Sequence, residues 1–245
     1  MSILLQLLVN GLLLGGAYAI ISISLTLIFG VVRVVNFAHG ELLMIGMYAT
    51  WFITTRIGIH PYLTVVPVAL LLFGVGVLVQ RFIIQPLLTA EPHIQIFATV
   101  GVSTALLNLA LMVFGADVRS VSVKFGADAF QLGPITIVTG QLMTFVVAIV
   151  VAVSVYLFHT FTGRGFRALA QNRAAASLMG VNVNKAYVLV FGLGTALLGL
   201  AAALLSVQYP VFPTVGQYFV LTAFVVVVLG GLGSLPGAVV GSLFI

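Results

Sequence analysis

The sequence predicts an all-α polytopic membrane protein of about 7–8 transmembrane segments, with broken or re-entrant helices and a candidate inverted repeat. Three observations carry this. Charged residues make up 5% of the chain, against the roughly 25% of a soluble domain. Mean hydropathy is +1.31, and 62% of residues are hydrophobic. Runs without Asp, Glu, Lys or Arg cover 2–32, 57–80, 92–116, 129–163 and 186–245. Each exceeds the ~18–20 residues that cross a hydrocarbon core of about 30 Å as a helix. So little polar surface excludes a soluble domain. The net charge of +5 then reports Lys and Arg kept in cytoplasmic loops, and no nucleic-acid partner is expected. With no cysteine, disulfides and thiolate metal sites are excluded.

The first span is expected near 5–30. Its start, "MSILLQLLVNGLLLGGAYAI", has no positive stretch and no clear cleavage site, so it reads as a helix and not a signal peptide. Further spans follow near 36–55, 62–82, 94–114, 136–160 and 186–207, with broken helices from about 208. The 115–135 loop alternates polar and β-branched residues around glycines. It reads as a small strand or hairpin, or else as a solvated connector. Gly11/Gly15, Gly192/Ala196 and Gly237/Gly241 have the small-xxx-small spacing of closely packed helices.

The segment 160–185 holds Arg164, Arg167, Arg173 and Lys185 with no acid, which makes it cytoplasmic. Counting back, Arg33 and Arg81 fall inside and Arg56, Arg119 and Lys124 outside, with the N-terminus outside. Arg164–Gly180 reads as a short helix with Phe166, Leu169, Ala170 and Arg173 on one face, ended by Gly180. The C-terminal stretch breaks at Gly230, Gly231, Gly233 and Pro236, and Ser234 is placed to cap a helix from Leu235. That helix has about ten residues, roughly 15 Å, only half a span. One transmembrane domain, 1–245, C-terminally truncated or docked at its end against neighbours, is expected.

The candidate site starts at Glu41, one of four acids. Only 14 uncharged residues separate it from Arg56, about 21 Å of helix, short of the core. Glu41 and His39 therefore sit inside the membrane boundary, or the segment does not cross alone. Two roles are open. Glu41 pairs with Arg33 or caps a helix N-terminus at headgroup level, or it lines a wet path. Asn36 and His39 are near enough in sequence to supply donors. Aligning "AHGELLMIGMY" (38–48) with "TVGQYFVLTAF" (214–224) matches Gly40 to Gly216 and Glu41 to Gln217. Paired interrupted helices in two halves of opposite orientation are a feature of inverted-repeat transporters. Asn36, His39, Gly40, Glu41, Gly216 and Gln217 are the candidate path or helix-break residues.

Val35–Glu41, "GRGFRALAQNRAAASLMGVNV" (163–183) and "VVVLGGLGSLPGAVVG" (226–241) together resemble the inner-membrane permease subunits of branched-chain amino acid ABC importers, the Liv-type family and its H-like subunit. Related permeases for urea and short amides are similar in the same stretches. The resemblance implies a paralogous second permease, two cytoplasmic ATPase subunits and a periplasmic or lipid-anchored substrate-binding protein, in the bacterial inner membrane. It also implies an ATPase-docking loop formed by Gly163, Arg164, Arg167, Ala168, Ala170, Asn172, Ala175, Leu178 and Gly180. The chain departs from the family by ending at Ile245, where such permeases continue for another helix or more.

No HExxH or GxSxG occurs, Asp117 and Asp128 share one loop, and His39 with Glu41 falls short of a zinc site. His60, His93 and His159 lie near span ends, where interfacial anchoring is the commoner use. No enzyme activity, metal or cofactor is expected, and with no Walker motif any ATP hydrolysis belongs to a partner. The remaining rival, an ion-coupled secondary transporter or passive channel, would move cargo without ATPases.

Overall fold

The computed structural model describes residues 2–121, 129–132, 135–161 and 163–245. Its elements run α1 (Ser2–Val32), α2 (His39–Phe52), α3 (Val65–Val79), α4 (Gln85–Leu87) and α5 (Pro92–Phe114), then β1 (Ala129–Leu132) and β2 (Ile135–Val138). There follow α6 (Thr139–Phe161), α7 (Arg164–Gln171), α8 (Arg173–Leu178), α9 (Val183–Leu205), α10 (Val215–Gly230) and α11 (Leu235–Phe244). A π turn, Ile53–Ile57, extends α2, and another, Gln80–Ile84, joins α3 to α4. This is an all-α polytopic membrane protein. Among the described residues five helices are long and apolar enough to cross a membrane, or six if α10 and α11, bent by 119°, form one span.

The centre of the bundle is α1 against α9. These two are the most buried of the long helices, while α5 and α6 leave most of their surface open. They run antiparallel. Val31, Val32 and Arg33 at the end of α1 share a cleft with Tyr187 near the start of α9. Past the far end of α9, Gln208 bonds Gly140 and Thr144 of α6, next to Phe145, which abuts Gly16 of α1. Around this pair the packing repeats itself. α1 lies on α10 and α11 as α9 lies on α2 and α3, and α2 meets α10 as α1 meets α9. The candidate inverted repeat is therefore visible as two antiparallel triplets, α1–α2–α3 and α9–α10–α11.

Each triplet has a break after its first helix. α1 ends at Val32, and Arg33 turns the chain with a φ of 58°, a left-handed backbone that costs an L-residue roughly 1–2 kcal/mol. The span expected from 36 begins as a helix only at His39. Asn36 explains the delay: its Oδ1 accepts from the Ala38 N–H at 3.1 Å, a local turn that competes with helix. In the second triplet, 206–214 separates α9 from α10, as the expectation of broken helices from 208 implied.

The hairpin expected within 115–135 is present at its far end and runs beyond it. β1 pairs antiparallel with β2, Ala129 opposite Val138 and Leu132 opposite Ile135. Upstream, Arg119 pairs with Val211 through two backbone bonds of 2.9 and 2.7 Å. Lys124 and Asp128 lie outside the described residues. Of the small-residue positions, Gly15 packs on α11, Gly192 on Phe73 and Gly237 on Gly230, whereas Gly11 faces open space. Ser234 caps α11 as expected, its Oγ accepting from the Gly237 N–H at 3.2 Å.

Candidate functional site

The starts of α2 and α10 cross at one point, where Gly40 meets Gly216. A Cβ on Gly40 would lie 2.8 Å from the Gly216 oxygen, and one on Gly216 would lie 1.9 Å from the Gly40 oxygen. The contact is reciprocal, as a pseudo-two-fold axis requires, and only glycine at both positions lets the backbones approach this closely. The two positions matched in the sequence are thus in contact in space. His39 starts α2 as Val215 starts α10, in the same register.

Each lead-in segment is pinned. Thr99 of α5 shares its one hydroxyl proton between the Ile96 oxygen of its own helix at 3.0 Å and the Val35 oxygen at 3.2 Å, and the Arg119–Val211 bonds hold the other. Asn36 and His39 are buried. Ser24 of α1 donates its one hydroxyl proton to the Gly194 oxygen of α9 at 2.6 Å. Its oxygen therefore accepts from His39 Nε2–H, 3.3 Å away. Ser24 thus ties the start of α2 to the middle of α9, well inside the bundle.

Glu41 is 2% exposed and occupies the first turn of α2, where a carboxylate meets the positive end of the helix dipole. The Ser103 hydroxyl of α5 and the Gln217 amide of α10 lie within hydrogen-bonding reach of its carboxyl. Three expected partners go elsewhere. Arg33 does not pair with Glu41; its guanidinium donates to the Ala170 oxygen of α7. The donor of His39 goes to Ser24, and Asn36 folds back on its own turn. The reason is the direction of the lead-in: α2 starts deep in the bundle and leaves Arg33 behind at its end. Gln217 is exposed and heads an exposed apolar stripe on α10 of Leu221, Val225 and Val228.

The basic segment does not form one helix. Asn172, with extended backbone, splits it into α7 and α8, and its Oδ1 caps α8 by accepting from the Ala175 N–H at 3.0 Å. An asparagine offers the cap more strongly than it supports a helix interior, which is why one helix becomes two. Gly180 ends α8 with a φ of 86°. α7 faces inward: Gly163 and Leu169 are buried, Arg167, Ala168 and Ala170 half-buried, and Arg167 donates to the Thr160 oxygen at 2.9 Å. The side chain of Arg164 lies outside the described residues. α8 faces outward. Asn172, Ala175, Leu178 and Gly180 are exposed, with Leu178 at 89%.

Residues 7–245 match the family described as branched-chain amino acid transport system / permease component. The chain belongs to this permease family. It is 32% identical over 256 residues to the high-affinity branched-chain amino acid transport system permease protein BraD of Pseudomonas aeruginosa, across 98% of this chain and 83% of that protein. It is 31% identical over 259 residues to LivH of Escherichia coli K12, a permease protein of the same description, with the same coverage. The ribose import permease protein RbsC of Haemophilus influenzae is 29% identical over 238 residues, 93% of this chain and 71% of that protein. No solved structure matches.

Within this permease the residues that sequence reasoning missed are the ones that hold the crossing: Ser24, Thr99 and Ser103. Small hydroxyls in apolar helices carry no signal of their own, because most bond the preceding turn, as Thr50, Thr104 and Thr144 do here.

Proposed function

We propose that this permease is the membrane subunit of an ATP-binding-cassette importer that moves branched-chain aliphatic amino acids into the cytoplasm across the bacterial inner membrane. The observation that carries the reading is the near full-length match to permeases of that description. It works beside a paralogous permease, two cytoplasmic ATPases and a substrate-binding protein. The relationship to a ribose permease extends to the scaffold. A branched aliphatic side chain needs an apolar passage, and the exposed stripe of α10 offers one, headed by a single amide at Gln217.

The second permease covers that stripe, and cargo passes between them beside the α2–α10 crossing. Glu41 supports the crossing by joining α2, α5 and α10. The ATPases grip α8 by its exposed Leu178 and Met179. Movement there reaches the crossing through α7 and the Arg33 guanidinium, which links Ala170 to the residue from which the lead-in to α2 departs.

The test is uptake of labelled leucine into proteoliposomes holding this chain, the second permease, the ATPases and the binding protein. Uptake should require ATP, and this chain alone should show none under an ion gradient. Gradient-driven uptake by the chain alone would overturn the reading, and so would ATP-dependent uptake of ribose without leucine.

A further inference from the structure

A cavity of about 250 Å³ lies where the ends of α1 and α6 meet α7 and the start of α11. Thr26, His159, Arg167, Gln171, Gly233 and Leu235 form its walls. Its walls carry one charged side chain, the Arg167 guanidinium, set against the carbonyl ends of α1 and α6. Thr26 is 1% exposed, and its hydroxyl has no hydrogen-bond partner in the protein. Arg167 gives one of its five N–H groups to Thr160 and keeps the others. At the start of α11, Pro236 has no N–H and Ser234 takes that of Gly237, so Leu235 N–H is the donor left at that terminus. Among the described residues, none of the acids Glu41, Glu91 and Asp117 lines the cavity. A guanidinium, a buried hydroxyl and a helix N-terminus with no carboxylate among them match anionic oxygens.

We propose that this cavity holds the phosphoryl group of an anionic phospholipid. The volume equals the liquid share of about eight waters at ~30 Å³ each, enough for a phosphoryl group and its ester oxygens. The lipid is favoured over a soluble anion by α6. Val146, Ile149, Val153 and Tyr156, spaced by three and four residues, are each about half exposed and form one face that ends a turn before His159. Acyl chains lying on that face bring a headgroup to the cavity. Arg167 favours a lipid with net negative charge over one whose own cation would face the guanidinium. Basic pockets between helices at a membrane's cytoplasmic side are suited to such headgroups.

The test is native mass spectrometry of the full chain with phosphatidylglycerol, phosphatidylcholine or inorganic phosphate. Phosphatidylglycerol should bind about tenfold more tightly than phosphatidylcholine. Thr26→Val and His159→Leu should each weaken phosphatidylglycerol by about fivefold without changing helical content, with Gln171→Leu as the substitute if either fails to fold. Equal binding of the two lipids, or variants that bind phosphatidylglycerol like the parent, would overturn the proposal. Inorganic phosphate binding as tightly, with the same sensitivity to the variants, would assign the cavity to a soluble anion instead. Expulsion of the lipid when ATPase subunits are added would assign it to an acidic side chain of that partner, also against the proposal.

Discussion

The Gly40–Gly216 contact leaves no room for a methyl group, and the shortfall is unequal on its two sides. Gly216→Ala places a carbon 1.9 Å from backbone oxygen and Gly40→Ala one at 2.8 Å. Overpacking typically costs 1–3 kcal/mol, occasionally more. Gly216→Ala should therefore lower the midpoint of thermal unfolding in detergent further than Gly40→Ala. Gly101→Ala, inside α5 with nothing within 4 Å, should keep stability or raise it by about 0.5–1 kcal/mol. At Glu41, Gln keeps shape and an acceptor, and should retain most transport. Ala leaves the Ser103 and Gln217 donors unmatched, at about 1–3 kcal/mol, and should lower assembly and transport together. Normal assembly with a changed apparent affinity for cargo alone would make Glu41 a path-lining residue. Glu41 was legible in the sequence because acids are so rare, and Gly40 because it sat beside one. Gln217 was legible as the counterpart of Glu41 in the second half, whereas Ser103 was not, because it comes from a helix far away in sequence and carries no signal of its own.

Among the elements, the lead-ins and the basic segment matter most. The long apolar helices were legible from uncharged runs, since a membrane span is set by length and hydropathy. The breaks were less so. That α2 starts at His39 depends on the Asn36 turn and on a bond from Thr99, neither of which periodicity reports. The split of the basic segment depends on one cap. Asn172→Ala should cost about 1 kcal/mol and loosen α8, read as faster hydrogen exchange at Ala175–Leu178 with α7 unchanged. Arg33→Ala removes the link to α7. In the assembled transporter it should leave ATP hydrolysis running while uptake per ATP falls several-fold. Uptake and hydrolysis falling in proportion would place the coupling elsewhere.

For the whole molecule, α1 and α9 form the buried centre, and α2 and α10 start inside it from opposite ends. The inverted relation was legible in two short stretches alone, because most of each triplet is apolar and any two apolar helices align. A cysteine at exposed Ser177 should react only from the cytoplasmic side of intact vesicles, and labelling from the other side would invert the orientation. If cargo passes beside the α2–α10 crossing, those helices must shift during the cycle. Phe37 and Phe224 stack across them with ring centroids 5.4 Å apart, and the chain has no cysteine of its own. Cysteines at these two positions, joined by a short reducible crosslinker in the assembled transporter, should stop ATP-driven leucine uptake, and reduction should restore it. Uptake continuing at full rate while the pair is crosslinked would contradict a path that opens at this crossing.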